Sequence, residues 1–129
     1  MTYTDAMRLV QGSDGLLVLG VDDAGYVPSK LFTYAQTGLP LLASFRHDSP
    51  AIGAFADAGG PGDLLSFGSE STVTDQHRHA MRRFLASVQR RDRESRDESL
   101  APYMAPAMAA RHARLFESVL ASYSSEPKR

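Results

Sequence analysis

The sequence predicts an α/β fold, a three-layer arrangement in which a partial parallel sheet of about three strands is flanked by helices, with long helices closing the chain. Three observations carry that expectation. Short apolar runs alternate with helix-like segments over residues 4–67 of the 129, an order that gives parallel strands joined by right-handed crossovers. The first run, Gly15-Leu16-Leu17-Val18-Leu19-Gly20-Val21, is apolar without alternation, as in a strand covered on both faces and placed mid-sheet. Prolines stand where helices would start and glycines where they would stop, at Pro28 and Gly38 and again at Pro50 and Gly59.

Residues 4–12 read as a short helix capped by Thr4, with Asp5 at the positive end of its dipole and Gly12 at its stop. Met7 and Val10 would share a face with Tyr3. After the first strand, Asp22-Asp23-Ala24-Gly25 turns the chain. Pro28 to Gly38 reads as a second helix. Pro28 fits its first turn, where a missing N–H goes unnoticed, and Leu31, Tyr34, Ala35 and Gly38 form the buried stripe. Pro40 to Phe45 is a second short strand. Ser49 to Gly59 is a third helix, with Ser49 as N-cap and Pro50 at the first position. Gly59-Gly60-Pro61-Gly62 breaks it, and Asp63 to Phe67 is a weak third strand. Residues 72–91 form a long amphipathic helix with the stripe Met81, Phe84, Leu85 and Val88. From Arg90 to Glu98 charges of both signs crowd together, the pattern of a solvated helix end or linker. Pro102 opens a last helical segment, whose buried face is marked by Met108, His112, Leu115, Phe116 and Val119. Residues 1–122 make one domain and 123–129 a flexible tail.

Composition narrows the function classes. A single domain is what 129 residues allow, and a 43% hydrophobic content supplies its core. A formal net charge of −1 leaves no basic field for nucleic acid or a membrane surface. The absence of cysteine excludes disulfides, thiolate nucleophiles and Cys-ligated zinc. No apolar run approaches the roughly 18 residues of a membrane span. Met1-Thr2-Tyr3-Thr4-Asp5 lacks the charged and apolar regions of a secretory leader, so a cytoplasmic protein is expected.

In an open parallel sheet, ligands bind beyond the carboxyl ends of the strands. That directs attention to Gly20 through Lys30, a loop feeding a helix N-terminus where backbone N–H groups converge on any bound anion. Ser29 adds a hydroxyl and Lys30 a full charge. Spacing alone favours a first-turn capping serine followed by a solvated surface lysine.

The stretch Gly25-Tyr26-Val27-Pro28-Ser29-Lys30-Leu31-Phe32-Thr33-Tyr34, continuing through Thr37-Gly38-Leu39-Pro40, resembles the donor-binding signature of GT-B glycosyltransferases. There a loop enters a helix as Val-Pro-Ser-Lys-Leu-Phe-Glu-Tyr and reaches Thr-Gly-x-Pro before the next strand. Weaker likenesses extend outward to Tyr3-Thr4-Asp5-Ala6-Met7, to Ser13-Asp14-Gly15, to Ser49-Pro50-Ala51-Ile52 and to Met108-Ala109-Ala110-Arg111-His112-Ala113. The resemblance implies a Rossmann-like domain that binds a nucleotide-diphosphate sugar of the UDP or GDP type and transfers the sugar to an acceptor hydroxyl. Ser29 and Lys30 would face the diphosphate, and Gly25, Tyr26 and Val27 would line the sugar and phosphate. No metal or other cofactor is implied, because the helix end and the cation stabilise the departing diphosphate. The family carries two glutamates with seven residues between them, and Gly25 and Thr33 stand in their places. Thr33 offers one hydrogen bond where a carboxylate would clamp a ribose diol, and Asp22 or Asp23 is the alternative sugar contact. Set against the family, the acceptor domain and the opening strands of the donor domain are not in this chain. It is therefore expected to be part of an enzyme, inactive by itself, and to seek a missing N-terminal domain, a companion chain or a second copy along its open sheet edge.

The remaining candidates are poorer. His77 and His79 stand two apart on a helix and point to different faces, which disfavours joint metal binding. His77 fits a half-buried position, His112 fits packing, and His47-Asp48 fits a surface pair. A different class of function, a non-catalytic interaction or receiver-like signalling module, is suggested by length and by Asp22-Asp23 at a strand end, although Lys30 and Asp48 stand in the wrong order for a receiver.

Overall fold

The structure, a computed structural model, describes residues 2–23, 25–68, 72–95 and 97–124. The chain runs through α1 (Tyr3–Gln11), β1 (Leu16–Leu19), α2 (Lys30–Ala35), β2 (Leu41–Arg46), α3 (Pro50–Asp57), β3 (Asp63–Phe67), α4 (Asp75–Arg90), α5 (Asp97–Leu100), a 3-10 turn (Ala101–Tyr103) and α6 (Ala105–Ser124). The strands are all parallel, in the order β1-β2-β3. The α/β class expected from the sequence is the one observed.

Local chemistry explains most boundaries. Thr2 rather than Thr4 caps α1: its hydroxyl accepts from the Asp5 N–H at 3.2 Å while Asp5 accepts in return from the Thr2 N–H. A capping box needs an acid three residues on, which Thr2 has and Thr4 lacks. Ser49 caps α3 as expected, accepting from the Ala51 N–H at 3.2 Å, with Pro50 in the first turn. Pro28 lies outside α2, since Ser29 is the N-cap and Lys30 the first helical residue. That helix is shorter than expected because Thr37 folds onto it, donating to the Tyr34 carbonyl at 2.6 Å and accepting from the Leu39 N–H. Gly38 then turns at φ +68°, with the Glu94 backbone pressed against the place a Cβ would occupy and the Glu94 N–H donating to its carbonyl at 2.9 Å. Only glycine meets both demands.

The register puts Leu16, Val18, Leu41, Ala43 and Phe45 on one face of the sheet, where they pack with Leu31 of α2 and Phe55 of α3. Phe45, Leu31 and Leu41 are fully buried at its centre. The opposite face, with Leu42, Ser44 and Leu65, receives α4 over β3 and β2. α4 crosses obliquely, from His77 bonded to the Ser66 carbonyl back to Phe84 and Val88 against Gly15.

Three expectations are corrected. β1 is an edge strand and not mid-sheet, and α4 does not reach over it, so Leu17 and Leu19 stand 55% and 67% exposed. α4 turns Ala80 and Phe84 to the sheet, while Met81 and Leu85 face outward; the small Ala80 permits the close approach. On α6, Met108 is half-buried but His112, Leu115, Phe116 and Val119 are exposed. That helix makes its main contact with the 3-10 turn and runs away from the sheet. Among the described residues of the mixed-charge stretch, Arg90, Arg91, Arg93, Glu94 and Glu98 are exposed, and Arg90 pairs with the half-buried Asp92 at 2.7 Å. Residues 125–129 of the expected tail lie outside the described residues.

Candidate functional site

The carboxyl edge of the sheet is formed by the loops that leave β1, β2 and β3. The first, Gly20 to Ser29, is held by the second. Arg46, the last residue of β2, grips Asp48 through two parallel bonds of 2.8 and 2.7 Å and reaches Asp22 at 2.5 Å. Ser49 donates to the Tyr26 carbonyl at 3.3 Å. Two polar ties thus fix the β1–α2 loop against the β2–α3 loop. Within the first loop the Asp23 carboxylate accepts from the Gly25 N–H at 2.8 Å, an Asx turn. The third loop joins through the His47 N–H, which donates to the Phe67 carbonyl at 2.8 Å.

Electrostatics follow the geometry. The Arg46 guanidinium, through its bidentate bonds, holds the Asp48 carboxyl down to about 2. The same bonds, to Asp48 first and Asp22 second, push the Arg46 value up. The one cation at the end of β2 is therefore already neutralised by the protein's own carboxylates.

The residues singled out from the sequence fall as follows. Gly25, Tyr26, Val27, Ser29 and Lys30 are exposed, and Pro28 is buried beneath them. Thr33, one turn beyond Ser29, is half-buried. Among the described residues no side chain caps the start of α2. The Ser29 hydroxyl and Lys30 ammonium accordingly face solvent, unlike the start of α3, which its own Ser49 fills. Asp22 accepts from Arg46 and Asp23 from the Gly25 N–H, each through its Oδ1, and both residues are exposed. The structure brings Ser29, Lys30 and Thr33 onto one short helix and sets Gly25 to Val27 beside its start.

Arg46 was not legible as a site residue. An arginine closing an otherwise apolar strand, two residues before an aspartate, is the sequence signal for it. His77 is half-buried: its Nδ1 accepts from the Thr74 N–H at 3.3 Å, and its Nε2 lies 2.6 Å from the Ser66 carbonyl oxygen. His79 is exposed, and among the described residues no cluster of three metal-ligating side chains occurs. Among the described residues no helix is long and apolar enough to cross a membrane.

Grooves are also present elsewhere among the described residues. One of about 380 Å³ opens at the amino ends of the strands, between Gly62, Asp63, Arg83 and Ser87. Another of about 450 Å³ lies between Ser44, Leu65, Phe67 and the α4 residues His77 and Met81.

No family model matches the chain, and neither a curated protein nor a solved structure matches it.

Proposed function

We propose that the chain is the donor-binding part of a glycosyltransferase, holding the diphosphate of a UDP- or GDP-type sugar at the start of α2 for transfer of the sugar to an acceptor hydroxyl. One observation carries the reading. Ser29 and Lys30 project uncapped from the loop that leaves the carboxyl end of β1, where parallel α/β sheets present ligands. A six-residue helix has little macrodipole. The attraction therefore comes from the ammonium of Lys30, supported by the Ser29 hydroxyl and the first-turn N–H groups. Charge on the departing diphosphate grows as the sugar leaves, and a cation fixed beside it lowers that barrier without a metal. Tyr26 and Val27 offer an apolar wall, and Thr33 one hydrogen bond for a ribose hydroxyl.

Calorimetric titration of the chain with UDP and GDP tests the reading. Saturable binding is expected, weakened at least tenfold in Lys30→Ala, or about 1.4 kcal/mol. No saturable heat at millimolar nucleotide overturns it. The isolated chain is expected to transfer no sugar. A second reading, a non-catalytic interaction module, is favoured by the apolar surfaces that β1 and α6 leave open. Its receiver-like version is disfavoured by the order in which Lys30 and Asp48 stand along the chain.

A further inference from the structure

One sheet face is covered by α4 over β2 and β3 but left open along β1, and α6 carries an apolar stripe exposed to solvent. On the face, Leu17, Leu19 and Val21 are exposed along β1 and just past its end; on α4, Leu85 is exposed, as is Met81, which lines a groove with Ser44, the strand neighbour of Leu19. On α6, Leu115, Phe116, Val119 and Tyr123 are exposed at helical spacing on one side. None of these nine side chains is charged.

Helix and face cannot meet within one chain. The 3-10 turn that launches α6 is fastened to the outer side of α2: the Phe32 and Tyr103 rings lie 4.7 Å apart, and Gln36 donates to the Met104 sulfur at 3.5 Å. α2 covers the Leu16 and Val18 face, whereas the open face is that of Leu17 and Leu19. α6 is one continuous helix from Ala105 and has no loop to carry it around the sheet edge.

We propose that two copies of the chain associate reciprocally, α6 of each lying across β1 of the other, beside α4. The lengths agree. Leu115 to Tyr123 spans about 12 Å of helix and Leu17 to Val21 about 13 Å of strand. At roughly 100 Å² for each exposed side chain, the two equivalent contacts bury on the order of 1,800 Å², the size of a standard stable interface. Reciprocal exchange about a two-fold axis closes on itself and leaves no open end for polymerisation. The inference stands independently of nucleotide binding.

Sedimentation equilibrium on the full chain is expected to give twice the 14.0 kDa of one copy, and a monomer throughout the micromolar range overturns the proposal. Because the chain has no cysteine, pairing can be read directly by mild oxidation. Chains carrying Leu19→Cys mixed with chains carrying Val119→Cys are expected to form the mixed disulfide, with a Leu9→Cys control remaining uncross-linked. Cross-linking of Val119→Cys with itself in preference would mean paired α6 helices, and of Leu19→Cys with itself paired β1 edges; either result, or no cross-link, overturns the reciprocal arrangement.

Discussion

Arg46 shows how a single side chain at the end of a strand organises two loops. Its planar guanidinium satisfies Asp48 bidentately and still reaches Asp22 across the gap between the β1–α2 and β2–α3 loops. The Asp48 carboxyl is thereby held at about 2 in the folded chain, against an ordinary 3.8. A depressed folded-state value means that the charged form is favoured by folding. The contribution is complete above about pH 4 and is lost as pH falls through 2. Carboxyl-detected NMR titration is expected to place the Asp48 midpoint near 2, returning toward 3.8 in Arg46→Ala. A midpoint near 3.8 in the unaltered chain would show that the bidentate pair does not form in solution. Ser29 and Lys30 behave oppositely: nothing in the described chain consumes them, and they are the groups available to an outside anion. Their positions were legible in the sequence because proline, serine and lysine at a strand-to-helix loop each have a local physical meaning. The commitment of Asp22 was not legible. It depends on a partner 24 residues away, brought there by strand pairing.

At the scale of elements, caps and breakers read well and faces read less well. The Ser49-Pro50 start of α3 and the glycines that end it come from chemistry within a few residues. The stripe of α4 shifted by one position, because both Met81 and Ala80 satisfy a helical period and only the approach to the sheet chooses between them. The end of α4 is also informative. Arg91 adopts φ 55° in the left-handed region, and the Asp92 N–H closes onto the Ser87 carbonyl at 3.0 Å, the hydrogen bond of a Schellman end. A side chain there is strained. Its contact with Asp14 at 3.9 Å is exposed and adds little. Arg91→Gly is therefore expected to stabilise the fold by about 0.5–1 kcal/mol, seen as a higher urea midpoint with an unchanged slope. A lower midpoint would mean that the arginine's surface contacts outweigh its backbone strain.

At the scale of the whole molecule, the three-strand parallel sheet was legible from alternation alone, whereas the order of exposure was not. Gly15 to Val21 reads as a strand covered on both faces, and the same residues form an edge whose second face is open. Apolar patterning reports that a surface needs cover without saying whether the cover belongs to the same chain. Leu17 and Leu19 of β1 and Phe116 of α6 are the residues at which that ambiguity becomes visible, and the reciprocal dimer accounts for both sets together. The carboxyl edge of the sheet, with its uncapped α2, accounts for the proposed ligand.

The most direct test of the diphosphate site is an amide-resolved NMR titration of the chain with UDP and GDP. The account predicts saturable shifts concentrated in residues 25–33 and abolished by Lys30→Ala. Shifts clustered elsewhere, or none at millimolar nucleotide, would contradict it.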